Sequence, residues 1–213
     1  MTQRLWKVTS EDGSSCHGGS GRYSLGVWRE VAGPLVACAH GIHLCRDGDL
    51  LSWLGPVIWE AEADGETIEQ ADKVVARRAR VIRRTAWDER SARLFAADCA
   101  DRVLHLFESE RPGDDRPRRA IEVARLFAEG MATDASRAAA WDAAGAAAGD
   151  AAWATWAAAY AAWDAARAAA GAAAGDAAWA TWAAAHAARA AAGAAAWDAE
   201  RGWQTARLLE VLT

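Results

Sequence analysis

The reactive side chains of this 213-residue chain crowd into two short stretches near its start: Cys16-His17, and Cys38-Ala39-His40-Gly41-Ile42-His43-Leu44-Cys45. Cysteine and histidine are zinc ligands, and three or four of them converging make a structural site. Cys16, Cys38, His43 and Cys45 are the candidate metal set, with His17 and His40 as an alternative ligand site. The spacing matches no standard zinc pattern, because there is no C-x-x-C pair. On a strand, His43 and Cys45 would point the same way and His40 elsewhere. A cysteine nucleophile paired with histidine is a second chemistry to weigh. Cys16 and His17 are adjacent, so on an extended strand their side chains diverge, and no oxyanion device is visible. Zinc is therefore the one cofactor the cluster could hold, and none is expected. Gly13 to Gly21 (GSSCHGGSG) is glycine-rich but lacks the lysine and following helix of a phosphate cradle. No catalytic set is complete.

These residues need a scaffold. Residues 1–87 read as short strands between glycine-rich turns. Leu5 to Val8 and the buried-looking run Pro34 to Cys38 (PLVAC) are strand candidates. Asp49 to Leu54 reads as one or two helical turns. Val57 to Ala63 alternates and ends at the turn signal Asp64-Gly65. Lys73 to Thr85 permits a strand by its alternation and a helix through Val74, Val81 and Ile82; the clustered β-branched residues favour the strand. Its arginines, Arg77, Arg78, Arg80, Arg83 and Arg84, form a basic stripe. That stripe reads as a solvated strand edge offset by the acids of 60–72.

From Asp88 the pattern becomes helical. Ser91 to Glu108 and a second segment capped by Asp115 and ended by Gly130 should form an αα-hairpin over 88–130. From Asp134 about half the residues are alanine, the best helix former. AAAGDAAWATWAAA occurs at 146–159 and again at 172–185, a repeat of 26 residues. Such a period turns a straight helix by about 80°, so equivalent tryptophans of one helix would face different ways. Gly149-Asp150 and Gly175-Asp176 pair a stop signal with a start signal, so chain reversals or kinks are expected there. The expected architecture is α+β: a small mixed α/β N-terminal domain (1–87), then an all-α, Ala/Trp-rich antiparallel bundle or short solenoid (88–213). The second part divides into the hairpin, the array at 134–200 and a closing helix at 203–212 that packs on the hairpin.

The array carries a stripe at spacings of three and four: Trp153, Trp156, Tyr160, Trp163 and Arg167, then Trp179, Trp182, His186 and Arg189. Tryptophan buries about 150–250 Å², so a few per helix supply the core that alanine cannot. Tryptophan and arginine are also typical interface anchors, so part of the stripe is a candidate partner surface. A net charge of -5 argues against general nucleic-acid binding. Charges interrupt the alanine tract, so no membrane span is expected. No signal peptide is visible, and the four cysteines are expected to be reduced in the cytoplasm.

Two resemblances follow from these residues. Ala96 to Gly130 (AADCADRVLHLFESERPGDDRPRRAIEVARLFAEG), with the terminal Trp203-Gln204…Leu208-Leu209, resembles the immunity proteins of bacterial polymorphic toxin systems. That resemblance implies a non-catalytic protein that neutralises a toxin or effector by direct binding. The N-terminal part resembles a small domain of unknown function with a C-x-G…C-x-x-G-x-H-x-C pattern, carried here by Cys16 to Gly18 and Cys38 to Cys45. A looser likeness to ADP-ribosyltransferase-type folds lies in His17-Gly18 and Gly41 to Leu44, without a glutamate or tyrosine to complete such a site. The alternatives are accordingly a nucleotide-binding sensor or enzyme using the Cys/His cluster, and a self-associating helical module forming a homo-oligomer.

Overall fold

The computed structural model describes residues 4–150, 182–183, 186–187 and 194–213. The chain splits into two units, Met1–Trp87 with Leu212–Thr213, and Asp88–Val211. The architecture is α+β, an antiparallel sheet followed by helices.

Five strands build the first unit: β1 (Leu5–Thr9), β2 (Arg29–Glu30), β3 (Ile42–Leu44), β4 (Val57–Glu69) and β5 (Val74–Arg84). β1 pairs with β4, and β4 with β5. The far side of β5 is shared between β3 at Val74–Ala76 and β2 at Arg78–Ala79. Trp6 and Cys45 also exchange both backbone hydrogen bonds, at 2.8 and 2.9 Å. The end of β3 therefore reaches β1, and the sheet curls back on itself through β1, β4, β5 and β3. Leu5, Ile42, Leu44, Ala61, Val74, Ala76, Ala79 and Val81 form the core of that curl.

Three local readings of the sequence change here. Asp64-Gly65 does not reverse the chain. Gly65, at φ 77°, takes up a bulge between Asp64 and Thr67, and β4 runs on to Glu69. A bulge needs the same positive φ that a turn does, so the two share a sequence signal. The reversal lies at Gln70 to Lys73, closed by Gln70 N–H donating to the Lys73 carbonyl at 2.9 Å. Pro34 to Cys38 is a turn rather than a strand. Only Val36 bridges, to His40, and Cys38 takes φ 64°. The expected helical turns at Asp49 to Leu54 shrink to a 3-10 turn at Leu50–Ser52.

β5 is an inner strand, not the solvated edge expected. Its arginines stand opposite the acids of β4: Arg83 binds Glu60 at 3.0 Å, Arg80 binds Glu62 at 2.8 Å, and Arg78 binds Asp64 at 3.0 Å. Arg77 binds Glu66, and Arg84 reaches Glu11 at 3.1 Å. Trp28 lies beneath both Arg78 and Arg80, at 4.5 and 4.7 Å.

The second unit contains α1 (Glu89–Glu110), α2 (Arg116–Ala128), α3 (Asp134–Asp150) and α4 (Ala194–Val211). Asp88 opens α1 with a full capping box: it accepts from Ser91 N–H at 2.8 Å, while its own N–H donates to Ser91 Oγ at 2.7 Å. α2 starts differently from the expectation. Asp115 occupies the N-cap position, but its carboxylate makes no capping bond and pairs with Arg119 instead. Gly130, at φ 72°, ends the segment after α2. α1 buries Phe95, Ala96, Cys99, Val103 and Phe107, and α2 buries Ala120, Ile121 and Ala124, while Leu126 is exposed. α3 runs unbroken through Gly145 to Asp150. The reversal expected at Gly175-Asp176 and most of the repeat lie outside the described residues. α4 starts nine residues before the expected closing helix, and it packs on α1 as expected. Arg207 binds Asp98 at 2.9 Å and Arg102 binds Glu200 at 3.3 Å.

Candidate functional site

The sheet unit holds a pocket of about 550 Å³, and all six cysteine and histidine candidates line it. They arrive from three directions. Cys16 and His17 come from the glycine-rich loop after β1. His17 takes φ 61°, so the extended backbone expected for this pair is not what separates them. Cys38 and His40 come from the turn before β3. His43 lies on β3 between the buried Ile42 and Leu44, and Cys45 follows just after the strand. Gly41 lets the chain enter β3 at φ 146°. A Cβ there would stand 2.3 Å from Val75 Cγ1, so only glycine fits.

Convergence does not make a metal centre. Among the described residues, no group of three or more His, Cys, Asp or Glu is placed to hold a metal ion. The two alternative ligands are engaged elsewhere: His17 Nε2 lies 3.1 Å from the Trp53 carbonyl, and His40 Nε2 lies 2.6 Å from the Ala32 carbonyl. His17 also meets Trp53 edge-on at 5.6 Å. His43 Nε2 is buried without a hydrogen-bond partner.

Nor does the pocket favour a thiolate. Burial pushes the Cys45 thiol up to about 12, more than the nearby Lys7 charge pulls it back. Burial raises Cys16 too. Both stay protonated at pH 7, and the protonated thiol is a poor nucleophile. Burial, with Lys7 and Lys73 adding to it, lowers His43 and keeps its ring neutral.

The residue that sequence reading passed over is Lys7. It lies in the middle of β1, 7 % exposed, among Leu5, Trp6, Val8 and Thr9. A lysine between Trp6 and Val8 in an otherwise apolar strand was the available signal. Its ammonium donates to the His43 carbonyl at 3.1 Å and stands 4.8 Å over the Tyr23 ring. Burial pulls it down from 10.5 to about 8, and Arg29 adds to that, against the nearby thiols. Arg29 approaches the same Tyr23 ring at 5.8 Å. Lys73, over Trp53 at 4.6 Å, completes the cationic lining, and no aspartate or glutamate lines the pocket.

In the helical unit, the stripe residues Trp153, Trp156, Tyr160, Trp163, Arg167, Trp179 and Arg189 lie outside the described residues. Trp182 and His186 are described: Trp182 is 56 % exposed and His186 only 5 %, with their rings 6.1 Å apart. The hairpin itself is stitched by Asp98 of α1. One carboxylate oxygen accepts from Arg125 of α2 at 3.1 Å and the other from Arg207 of α4 at 2.9 Å.

Residues 85–211 match the family described as Imm-5 like putative immunity protein, which is more than half of the chain. The chain belongs to that family. The immunity-family region starts just before the Asp88 cap and ends with α4, so it takes in the four described helices. Residues 4–93 match a domain of unknown function (DUF7666), which contains every residue lining the pocket. The chain has no match among curated proteins and none among solved structures. No described helix is long and apolar enough to cross a membrane.

Proposed function

We propose that this chain neutralises a toxin or effector protein by binding and occluding it, as the immunity half of a bacterial toxin system acting in the cytoplasm. The family match carries this reading, because it falls on the helical unit that also bears the aromatic stripe. Occlusion needs a shaped surface and no catalytic group. The net charge of -5 suits a basic, nuclease-type partner, since complementary charge steers association. In this reading the array folds as an antiparallel bundle or short solenoid. Some tryptophans fill its core and others face the partner. Trp182 has the exposure of the second kind, with His186 packed beneath the surface one turn on. Tryptophans of this kind anchor interfaces because they offer a large, rigid contact area.

The test is protection. The intact chain is co-expressed with the toxin domains encoded beside it, and growth is followed alongside complex formation by size-exclusion chromatography. Rescue with a co-eluting complex is the expected result. Trp182→Ala should weaken it while leaving the helical circular dichroism unchanged. Failure of the wild-type chain both to protect and to form a complex would sink the reading. A concentration-dependent oligomer of the free chain, with no protection, would favour a self-associating module instead.

A further inference from the structure

We propose that the pocket of the sheet unit binds a small organic anion, a phosphate ester or a carboxylate, with its acidic group beside the Lys7 ammonium and the Arg29 guanidinium. The proposal is independent of toxin binding and concerns the unit outside most of the immunity-family match.

It starts from a census of cations. Among the described residues of this unit, the other lysines and arginines all have a carboxylate partner: Arg4 with Asp47, Arg22 with Asp12, Arg46 with Asp49 and Glu69, Lys73 with Asp72, and the β5 arginines with the acids of β4 and Glu11. Lys7 and Arg29 have none. Both line this same pocket, and both stand against the same Tyr23 ring. In a unit that pairs its surface charges so thoroughly, the two left over point to a missing counter-charge supplied from outside the chain.

Physical cost sharpens the point. An ammonium that is almost wholly buried with one carbonyl as its hydrogen-bond acceptor is an expensive group to keep. Its other N–H bonds remain to be used, and a bound oxyanion would accept them. His43 Nε2, buried and without a partner in the same pocket, offers a further polar contact. No carboxylate in the lining repels an anion. The volume of about 550 Å³ exceeds what a bare inorganic ion needs and falls in the range of pockets for small organic ligands. Trp53 and Tyr23 supply flat walls for the body of such a ligand.

The experiment titrates the full chain with two ring-bearing probes, phenyl phosphate and benzoate, against sodium chloride at matched ionic strength. Binding is read by calorimetry at pH 7. The expected result is saturable millimolar or tighter binding of at least one probe, and the preferred probe tells phosphate ester from carboxylate. Arg29→Gln, on a half-buried position that packs little core, should weaken that binding at least ten-fold, and Lys7→Met should abolish it. If neither probe saturates by 10 mM, or if binding persists equally in both variants, the proposal is overturned. Arg29→Gln alone decides the matter should Lys7→Met fail to fold.

Discussion

The two units use charge in opposite ways. In the helical unit, the ion pairs around Asp98 and Glu200 join elements far apart in sequence. Asp98 of α1 takes Arg125 of α2 on one oxygen and Arg207 of α4 on the other, and Arg102 reaches Glu200 across the same α1–α4 contact. In the sheet unit, the pairs along β4 and β5 join residues the ladder already holds opposite each other. There they add little structure and cancel a basic stripe. The contrast shows where charge is structural and where its absence is informative: Asp98 is a joint, the β5 arginines are a neutralised surface, and Lys7 with Arg29 is a remainder that stands in a pocket.

Breaking the joint should have the largest effect. Asp98→Ala leaves two guanidinium groups without their shared, part-buried acceptor. Bonds to charged groups at such positions contribute about 1.5–3 kcal/mol, so a loss of about 2 kcal/mol from the helical unit is expected. Urea unfolding followed by the helical circular dichroism signal would measure it. A loss under about 0.5 kcal/mol would mean the hairpin and α4 hold by apolar packing alone, through Phe107, Ile121 and Leu208.

Removing the remainder should act in the other direction. Lys7→Met keeps the volume and deletes a buried charge without a carboxylate. Replacing even a buried ion pair by apolar residues is often stabilising by about 1–4 kcal/mol, and Lys7 has no carboxylate attraction to lose, so a gain of about 1–2 kcal/mol is expected for the ligand-free chain. Amide exchange protection of β1 and β4 would report it. A loss instead would make Lys7 a structural residue held by His43 and Tyr23. The same charge gives a pH dependence. The Lys7 pKa is lowered from 10.5 to about 8 in the folded chain, so the folded state holds fewer protons than the unfolded one between those values. Stability therefore rises with pH from 8 upward. Cys45, raised from 9.0 to about 12, works against this as pH rises through 9, beginning about one unit below it. The remaining groups facing Lys7 are Arg29, His43, Cys16 and Tyr23. Between pH 8 and 9 Lys7 by itself contributes about 1 kcal/mol, of which the Cys45 thiol removes about a third, and Lys7→Met should abolish the rise.

Periodicity made some of this legible and local chemistry hid the rest. Alternation marked β4, clustered β-branched residues marked β5, and the change of pattern at Asp88 with the Gly130 signal marked the hairpin, because these features depend only on neighbours in sequence. Gly65 and Pro34 to Cys38 misled because a bulge, a turn and a strand end draw on the same residue types. The density of Cys16, His17, His40 and His43 pointed to a shared site, and these residues do line one pocket. Density gave no ligand chemistry, since that depends on which atoms are free once loops close. Lys7 was invisible for a related reason. A lysine in a strand usually lies on an open face, and only the curl of the sheet, with Cys45 bonded to Trp6, buries this one.

The smallest effect tests the neutralised surface itself. Arg80 pairs with Glu62 directly across the ladder and lies over Trp28, yet about a third of its side chain is exposed. Exposed pairs of this kind contribute about 0.2–1 kcal/mol. Arg80→Gln should therefore cost no more than about 0.5–1 kcal/mol, and the double variant with Glu62→Gln should show a coupling below about 1 kcal/mol. The cost should shrink in 0.5 M salt, where charges this exposed are screened. A coupling well above that, insensitive to salt, would make the β4–β5 ladder a structural joint like Asp98. It would also weaken the inference from Lys7 and Arg29, because an unmatched cation is informative only where matching serves mainly to cancel charge.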